Sequence, residues 1–312
     1  MNPGLALSSC LGFAISKSKS DGCIFYYHGI VEKKTDLLLE RNFHLLSDFR
    51  QHLEFLKHFT VKSLSELSSL SSNERRPWIA ITFDDGYANN LAVAEMLAKY
   101  RMPWSVFIST AAIGTQRPIW TIEVSLLCLY GQAKSLDIMG KIWPIEDRVQ
   151  REMLFQSLRQ SMKKMASGLR RETMDSICSQ FPQGETERIL NQFPSLKMLN
   201  WADIKRLCAS GVGIGSHGVE HELHHEKQPS ATRISELLQS KRDIETHLGK
   251  TCDYFAFPNG DYASCSAEEL KTSGYKLGFT TEPNKIQGAQ SILIPRMPAS
   301  MKVWKLARQV LQ

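Results

Sequence analysis

Short runs of apolar and β-branched residues recur along the chain, each bounded by residues that favour turns. Seven of these runs predict buried strands, over residues 23–27, 78–83, 104–109, 212–216, 254–257, 275–280 and 292–295. Apolar positions at helical spacing predict helices between them, over 46–59, 90–100, 200–209, 230–248 and 267–273. Asn200 stands where an N-cap is needed, and Gly249 and Gly274 stand where helices should stop. Strands that alternate with helices predict parallel β/α units, hence an α/β fold. Residues 115–197 break the rhythm. Residues 145–181 read as largely helical, with Ile145, Val149, Met153, Leu154, Leu158, Met162 and Met165 as an apolar face. The opposite face carries Arg148, Arg151, Arg159, Lys163, Lys164, Arg170 and Arg171, and is expected to be solvated, with anionic lipid or glycan phosphate as the sharper alternative. The expected organisation is one domain over 1–312 with an α-helical insertion at 115–197.

Composition adds limits. The chain has 312 residues, 42% apolar and 22% charged, which excludes a disordered or collagen-like protein. No run of 18 apolar residues occurs, so no membrane-spanning helix is expected. Residues 4–14 are mildly apolar but lack a preceding Lys or Arg, a poor match to a secretory signal. Seven cysteines, an odd number with no C-x-x-C, predict reduced thiols and a cytoplasmic location. The net charge of +6 allows an anionic substrate or membrane surface without predicting nucleic-acid binding.

The candidate chemistry gathers at strand ends. The run Ile81-Thr82-Phe83 ends in Asp84-Asp85-Gly86. Neighbours in a strand face opposite sides, so two acids in a row suggest separate roles, one on a metal and one free as a base. The segment Gly215-Ser216-His217-Gly218-Val219-Glu220-His221 holds an H-x-x-x-H pair that can close on one metal ion. His221/His225 is an overlapping alternative, but only His217 directly follows a strand. Gly213, Gly215 and Gly218 also spell G-x-G-x-x-G, yet the polar stretch 220–227 after them is unsuited to a dinucleotide fold. The turn Pro258-Asn259-Gly260 can present backbone N–H groups to an oxyanion. His28 and Arg296 each end a strand as well. In a parallel β/α barrel these ends meet on one rim. No G-x-S-x-G elbow occurs, which removes a serine hydrolase from consideration.

Together Thr82–Tyr87, Gly215–His221 and Phe255–Gly260 resemble the polysaccharide deacetylase (NodB-homology) family, carbohydrate esterase family four, over roughly 22–110 and 198–298. The Tyr27-His28 pair resembles the permuted branch that includes poly-N-acetylglucosamine deacetylases. The resemblance implies a distorted (β/α)7-type barrel of mostly parallel strands. It implies Asp85, His217 and His221 as ligands of a divalent metal, usually Zn2+. It implies Asp84 as general base, His28 as general acid and the Asn259 N–H as an oxyanion donor, with Arg296 orienting Asp84. The sequence departs from the family in Gly218, where Ser or Thr is common, in Asn259, where an aromatic is common, and in lacking a D-x-x-D-W block. The expected activity is removal of an N-acetyl group from an N-acetylhexosamine unit of a glycan or lipid-linked sugar, at or near the inner membrane face. The alternatives are hydrolysis of a non-sugar amide at the same site, and an inactive metal-dependent glycan-binding barrel.

Overall fold

All seven predicted runs are strands of one parallel sheet: β1 (Cys23–Tyr27), β3 (Trp78–Phe83), β4 (Trp104–Ile108), β5 (Gly213–Ser216), β6 (Tyr254–Ala256), β7 (Leu277–Phe279) and β8 (Leu293–Ile294). Two short strands that the pattern did not predict complete it, β2 (Thr60–Val61) and β9 (Met297–Pro298). The computed structural model describes residues 22–67, 77–115, 117–282 and 291–311; the apolar stretch 4–14 and Cys10 lie outside them. Strand order is β8-β7-β6-β5-β4-β3-β1-β9, with β2 paired to the start of β3. Every residue of β3 and β4 is buried, as parallel strands covered on both faces require.

The sheet curls, and the chain shows why. β8 and β9 lie at opposite ends of the strand order but are separated by only Pro295 and Arg296. Three residue steps reach about 10–11 Å at most, so the two ends must approach one another. The expected α/β class and distorted barrel are therefore the observed fold, and Arg296 sits at its closure.

The predicted helices form close to their expected limits. Asn200 caps Trp201–Ala209 by accepting from the Asp203 N–H at 2.9 Å, and Gly249 ends Ser230–Leu248 in the left-handed region, φ 63°. The helix expected over 46–59 stops earlier, at Leu56, because Thr60 and Val61 pair with β3. A C-terminal helix, Val303–Leu311, was not anticipated.

Residues 115–197 are mostly helical but not as one block. A buried helix, Trp120–Tyr130, comes first. A hairpin follows, Ser135–Ile138 with Lys141–Pro144, turned by Met139 and Gly140 at positive φ. The stretch 145–181, expected to be largely helical, holds two helices, Arg148–Met162 and Ser167–Cys178. Its predicted apolar face is corrected as well. Ile145, Leu154, Leu158 and Met162 are buried, but Val149 and Met153 are 66% and 61% exposed. At 3.6 residues per turn these two lie about 140–180° around the helix from Leu158, on the far side. Apolar residues of 115–197 form one cluster with Leu39, Phe43, Tyr87, Ala112 and Leu223. Among the described residues all six cysteines are free, and no helix is long and apolar enough to cross a membrane.

Candidate active site

The Asp84 N–H donates to Tyr27 O at 2.9 Å, so the β1–β3 ladder runs one residue past β3. The backbone then kinks, with Asp85 at φ 72° and Gly86 at φ 84°. The two neighbouring carboxylates consequently meet different partners. Arg296, wholly buried, donates through Nη1 and Nη2 to the two oxygens of Asp84 at 2.7 and 2.8 Å. Nη1 also donates to Thr82 Oγ1 at 3.0 Å. The guanidinium lies 5.0 Å from the Tyr26 ring and 5.2 Å from that of Phe107. Burial would lift the Asp84 pKa, but the Arg296 charge and hydrogen bonds, with His217 and His28 adding to them, together outweigh it and hold the carboxyl below its ordinary value. Asp84 is thus ionised at neutral pH and tied on one side.

Asp85 faces two imidazoles instead. Its Oδ1 is 3.3 Å from Nε2 of His217 and 3.3 Å from Nε2 of His221. All three side chains are buried, and their donor atoms fall within 4.8 Å of one another. Oδ1 has no hydrogen-bond partner. His217 Nδ1 lies 2.7 Å from the Ala256 carbonyl, which can only accept, so Nδ1 carries the proton and Nε2 is left with its lone pair. An orphaned carboxylate oxygen beside two inward Nε2 atoms fits a divalent cation. Burial opposes charge here, yet the two imidazoles, when protonated at Nε2 and no cation is bound, hold the Asp85 carboxyl well below its usual range.

The loop 217–221 is fixed by neighbours. The His217 N–H donates to Ile108 O at 2.8 Å, and Thr110 and Ala111 N–H groups donate to the carbonyls of Gly218 and Val219 at 3.0 Å each. Glu236 accepts from the N–H groups of Val219 and Glu220 at 2.7 and 3.2 Å. Trp120 Nε1 donates to His221 O at 3.0 Å, so the helix Trp120–Tyr130 reaches the second histidine. Gly218 sits at φ 83°, and a Cβ there would stand 2.8 Å from Glu236 Oε2. That explains glycine at this position. Gly218→Ala is expected to cost about 1–2 kcal/mol from the left-handed backbone alone. A shift in the urea midpoint would show it, and an unchanged midpoint would contradict it.

The remaining sequence candidates surround the same space. A cavity of about 270 Å³ is lined by His28, Asp84, Asp85, His217, His221 and Asn259, together with Tyr26, Arg41, Arg159 and Lys163. The His28 ring stands edge-on to Tyr26 at 5.8 Å. Its carbonyl accepts from Asn90 Nδ2 at 2.8 Å. Asn259 occupies a left-handed turn, φ 58°, and its N–H has no acceptor among the described residues. Arg296 lies behind the cavity wall, against Asp84. His225 is not part of the cluster: its Nε2 lies 3.3 Å from Met165 O. Sequence reasoning missed Trp120 and Glu236, whose residue types in a helix give no motif. It also missed Tyr87, whose hydroxyl pKa is raised well above the ordinary value by burial and by the adjacent Asp85 carboxylate.

The expected solvated basic face needs correction. Arg170 is buried and paired with Glu222. Arg148 pairs with Asp36 and Glu152, and Arg151 donates to the carbonyls of Cys128 and Ala133. Arg159 and Lys163 face the cavity.

The polysaccharide deacetylase family model matches residues 71–278. No curated protein matches the chain in sequence. Among solved structures it resembles IcaB from Ammonifex degensii, with 16% identity, a TM-score of 0.61 and coverage of 95% of this chain and 99% of that one. It also resembles the Streptococcus pyogenes deacetylase PplD, solved in complex with acetate, with 16% identity, a TM-score of 0.60 and coverage of 94% and 98%. A de-N-acetylase from Aggregatibacter actinomycetemcomitans matches with 14% identity, a TM-score of 0.55 and coverage of 92% and 100%.

Proposed function

The chain belongs to the polysaccharide deacetylase family, and from that membership we propose a metal-dependent hydrolase that removes the N-acetyl group from an N-acetylhexosamine unit of a glycan or lipid-linked sugar. Hydrolytic carbohydrate deacetylation is what the family assignment supplies. The metal, the atoms and the sugar unit are our reading. The observation that carries it is the division between adjacent carboxylates: Asp84 is held by Arg296, while Asp85 is left to His217 and His221.

Asp85, His217 and His221 would hold the cation, Zn2+ in this reading. When bound, it supplies Lewis acidity toward the acetamide carbonyl and lowers the pKa of water. Asp84, ionised and not shared with the histidines, accepts the proton of the attacking water. The Asn259 N–H, lacking an acceptor of its own, donates to the oxyanion that develops from the carbonyl oxygen. His28, on the lining of the same cavity, gives a proton to the departing nitrogen, because an amine anion is a very poor leaving group. Arg296 touches no reacting atom; it positions Asp84. A second cavity of about 560 Å³ shares Lys163 and Asn259 with the first and carries Tyr262. That gives room for a neighbouring sugar and supports a glycan over a small amide.

The test is acetate release from N-acetylhexosamine oligosaccharides and lipid-linked sugars by the protein loaded with zinc or cobalt. Release that stops on chelation and returns with metal is expected. Release that persists in the stripped protein, or none from any substrate, would overturn the reading.

We further place the chain in the cytoplasm, touching the inner membrane face. Free cysteines support a reducing compartment. Met139 and Ile142 on the hairpin and Val149 and Met153 on the following helix are exposed near Lys141, a mixture that suits an anionic lipid surface. Co-sedimentation with anionic vesicles is expected to fall in Ile142→Ser/Met153→Ser; equal sedimentation of both proteins would contradict the contact.

A further inference from the structure

Three cations that the deacetylation chemistry does not use face the same cavity as Asp85 and His217. They are Arg41, Arg159 and Lys163. The last two come from the insertion, at the end of the helix Arg148–Met162 and just beyond it. Among the described residues, none of the three forms an ion pair with a carboxylate, unlike Arg148 and Arg170 of the same insertion. The Nε atoms of Arg41 and Arg159 are buried without a hydrogen-bond partner. Arg41 Nη1 donates to Leu38 O at 3.0 Å, and Lys163 Nζ donates to Asn259 Oδ1. Neither acid in the cavity pairs with them: Asp84 is matched by Arg296, and Asp85, which attracts Arg41 and Lys163 without an ion pair to either, belongs to the histidine cluster. Burial, and then mutual repulsion, pushes the Lys163 ammonium down to about 8 and the Arg41 guanidinium to about 10.

Like charges gathered in a partly buried wall with idle donors are costly unless an anion occupies the space between them. Guanidinium forks match phosphate oxygens two at a time, and an ammonium adds a point charge. We infer that Arg41, Arg159 and Lys163 form a phosphoryl-binding clamp, so that the substrate is an N-acetyl sugar with a phosphate ester adjoining the unit that is deacetylated. This rests on the deacetylase reading and deepens it. It also accounts for the insertion, which brings the selectivity group to a barrel that holds the reaction groups.

The experiment compares kcat/KM for one N-acetylglucosamine unit offered as a neutral methyl glycoside, as a glycosyl phosphodiester and as a glycoside of a uronic acid. The wild type is expected to favour the phosphodiester by about tenfold or more, the worth of one charge-assisted hydrogen bond. That preference is expected to collapse in Arg159→Gln and Lys163→Gln, return in Lys163→Arg, and survive in Arg171→Gln, an exposed position on the same insertion. Equal kcat/KM for the three sugars in the wild type overturns the clamp and leaves the deacetylase reading intact. A preference for the uronate overturns the phosphoryl assignment. If no sugar releases acetate, the deacetylase reading fails, and calorimetry with inorganic phosphate decides the clamp alone. Weaker binding by Arg159→Gln than by Arg171→Gln then supports it, and identical binding overturns it.

Discussion

Arg296→Leu is expected to lower stability by about 3–5 kcal/mol, because it leaves the Asp84 carboxylate buried without its counter-charge. It should also reverse the pH dependence contributed by that carboxylate. In the wild type the folded pKa of Asp84 is depressed. Its stabilisation is full above the ordinary carboxylate value of about 3.9 and is lost as pH falls through the folded value. Without Arg296, burial dominates and raises the pKa. The variant then favours the protonated acid, and stability declines as pH rises through the raised value. Activity should move in the other direction, weak at low pH where Asp84 is protonated and recovering as pH rises through the raised value. Denaturant midpoints and kcat/KM from pH 4 to 9 would show both effects. A variant with the wild-type stability profile would mean that Arg296 does not hold Asp84.

Asp85→Asn is expected to separate metal binding from backbone geometry. Asp85 is in the left-handed region, φ 72°, which Asn tolerates nearly as well as Asp. The kink should survive and only the charge should go. Zinc affinity is expected to fall roughly a hundredfold, the equivalent of one strong charge-assisted contact, with acetate release lost in parallel. The same substitution removes a carboxyl whose folded pKa is far below the ordinary value. The apo protein should therefore lose part of the stability that it gains as pH rises to the ordinary carboxylate value of about 3.9 and keeps above it. Unchanged zinc affinity would exclude Asp85 as a ligand.

The barrel was legible because each core strand carries its own signal. Trp78–Phe83 and Cys23–Tyr27 are dense in apolar and β-branched residues, and both formed with the predicted limits. Thr60–Val61 and Met297–Pro298 were not visible. Two residues show no period, and each strand exists only because a neighbour offers an edge. The hairpin Ser135–Pro144 was hidden for a related reason, since each of its strands is only four residues long and its partner is local. Asp84, Asp85, His217 and His221 could be singled out because they follow strands directly, and strand ends share one rim in a parallel barrel. Trp120 and Glu236 could not. Each reaches the site across a tertiary contact from a helix whose own pattern reports packing and exposure, not which loop it meets.

The central claim is that the two adjacent carboxylates do different work. Metal content and acetate release measured on the same preparations of wild type, Asp84→Asn and Asp85→Asn test it most directly. Asp84→Asn should bind one metal ion per chain like the wild type yet release acetate about 10²–10⁴ times more slowly, the usual worth of a general base. Asp85→Asn should lose both. Asp84→Asn that releases acetate at the wild-type rate, or that loses its metal while Asp85→Asn keeps it, would contradict the account.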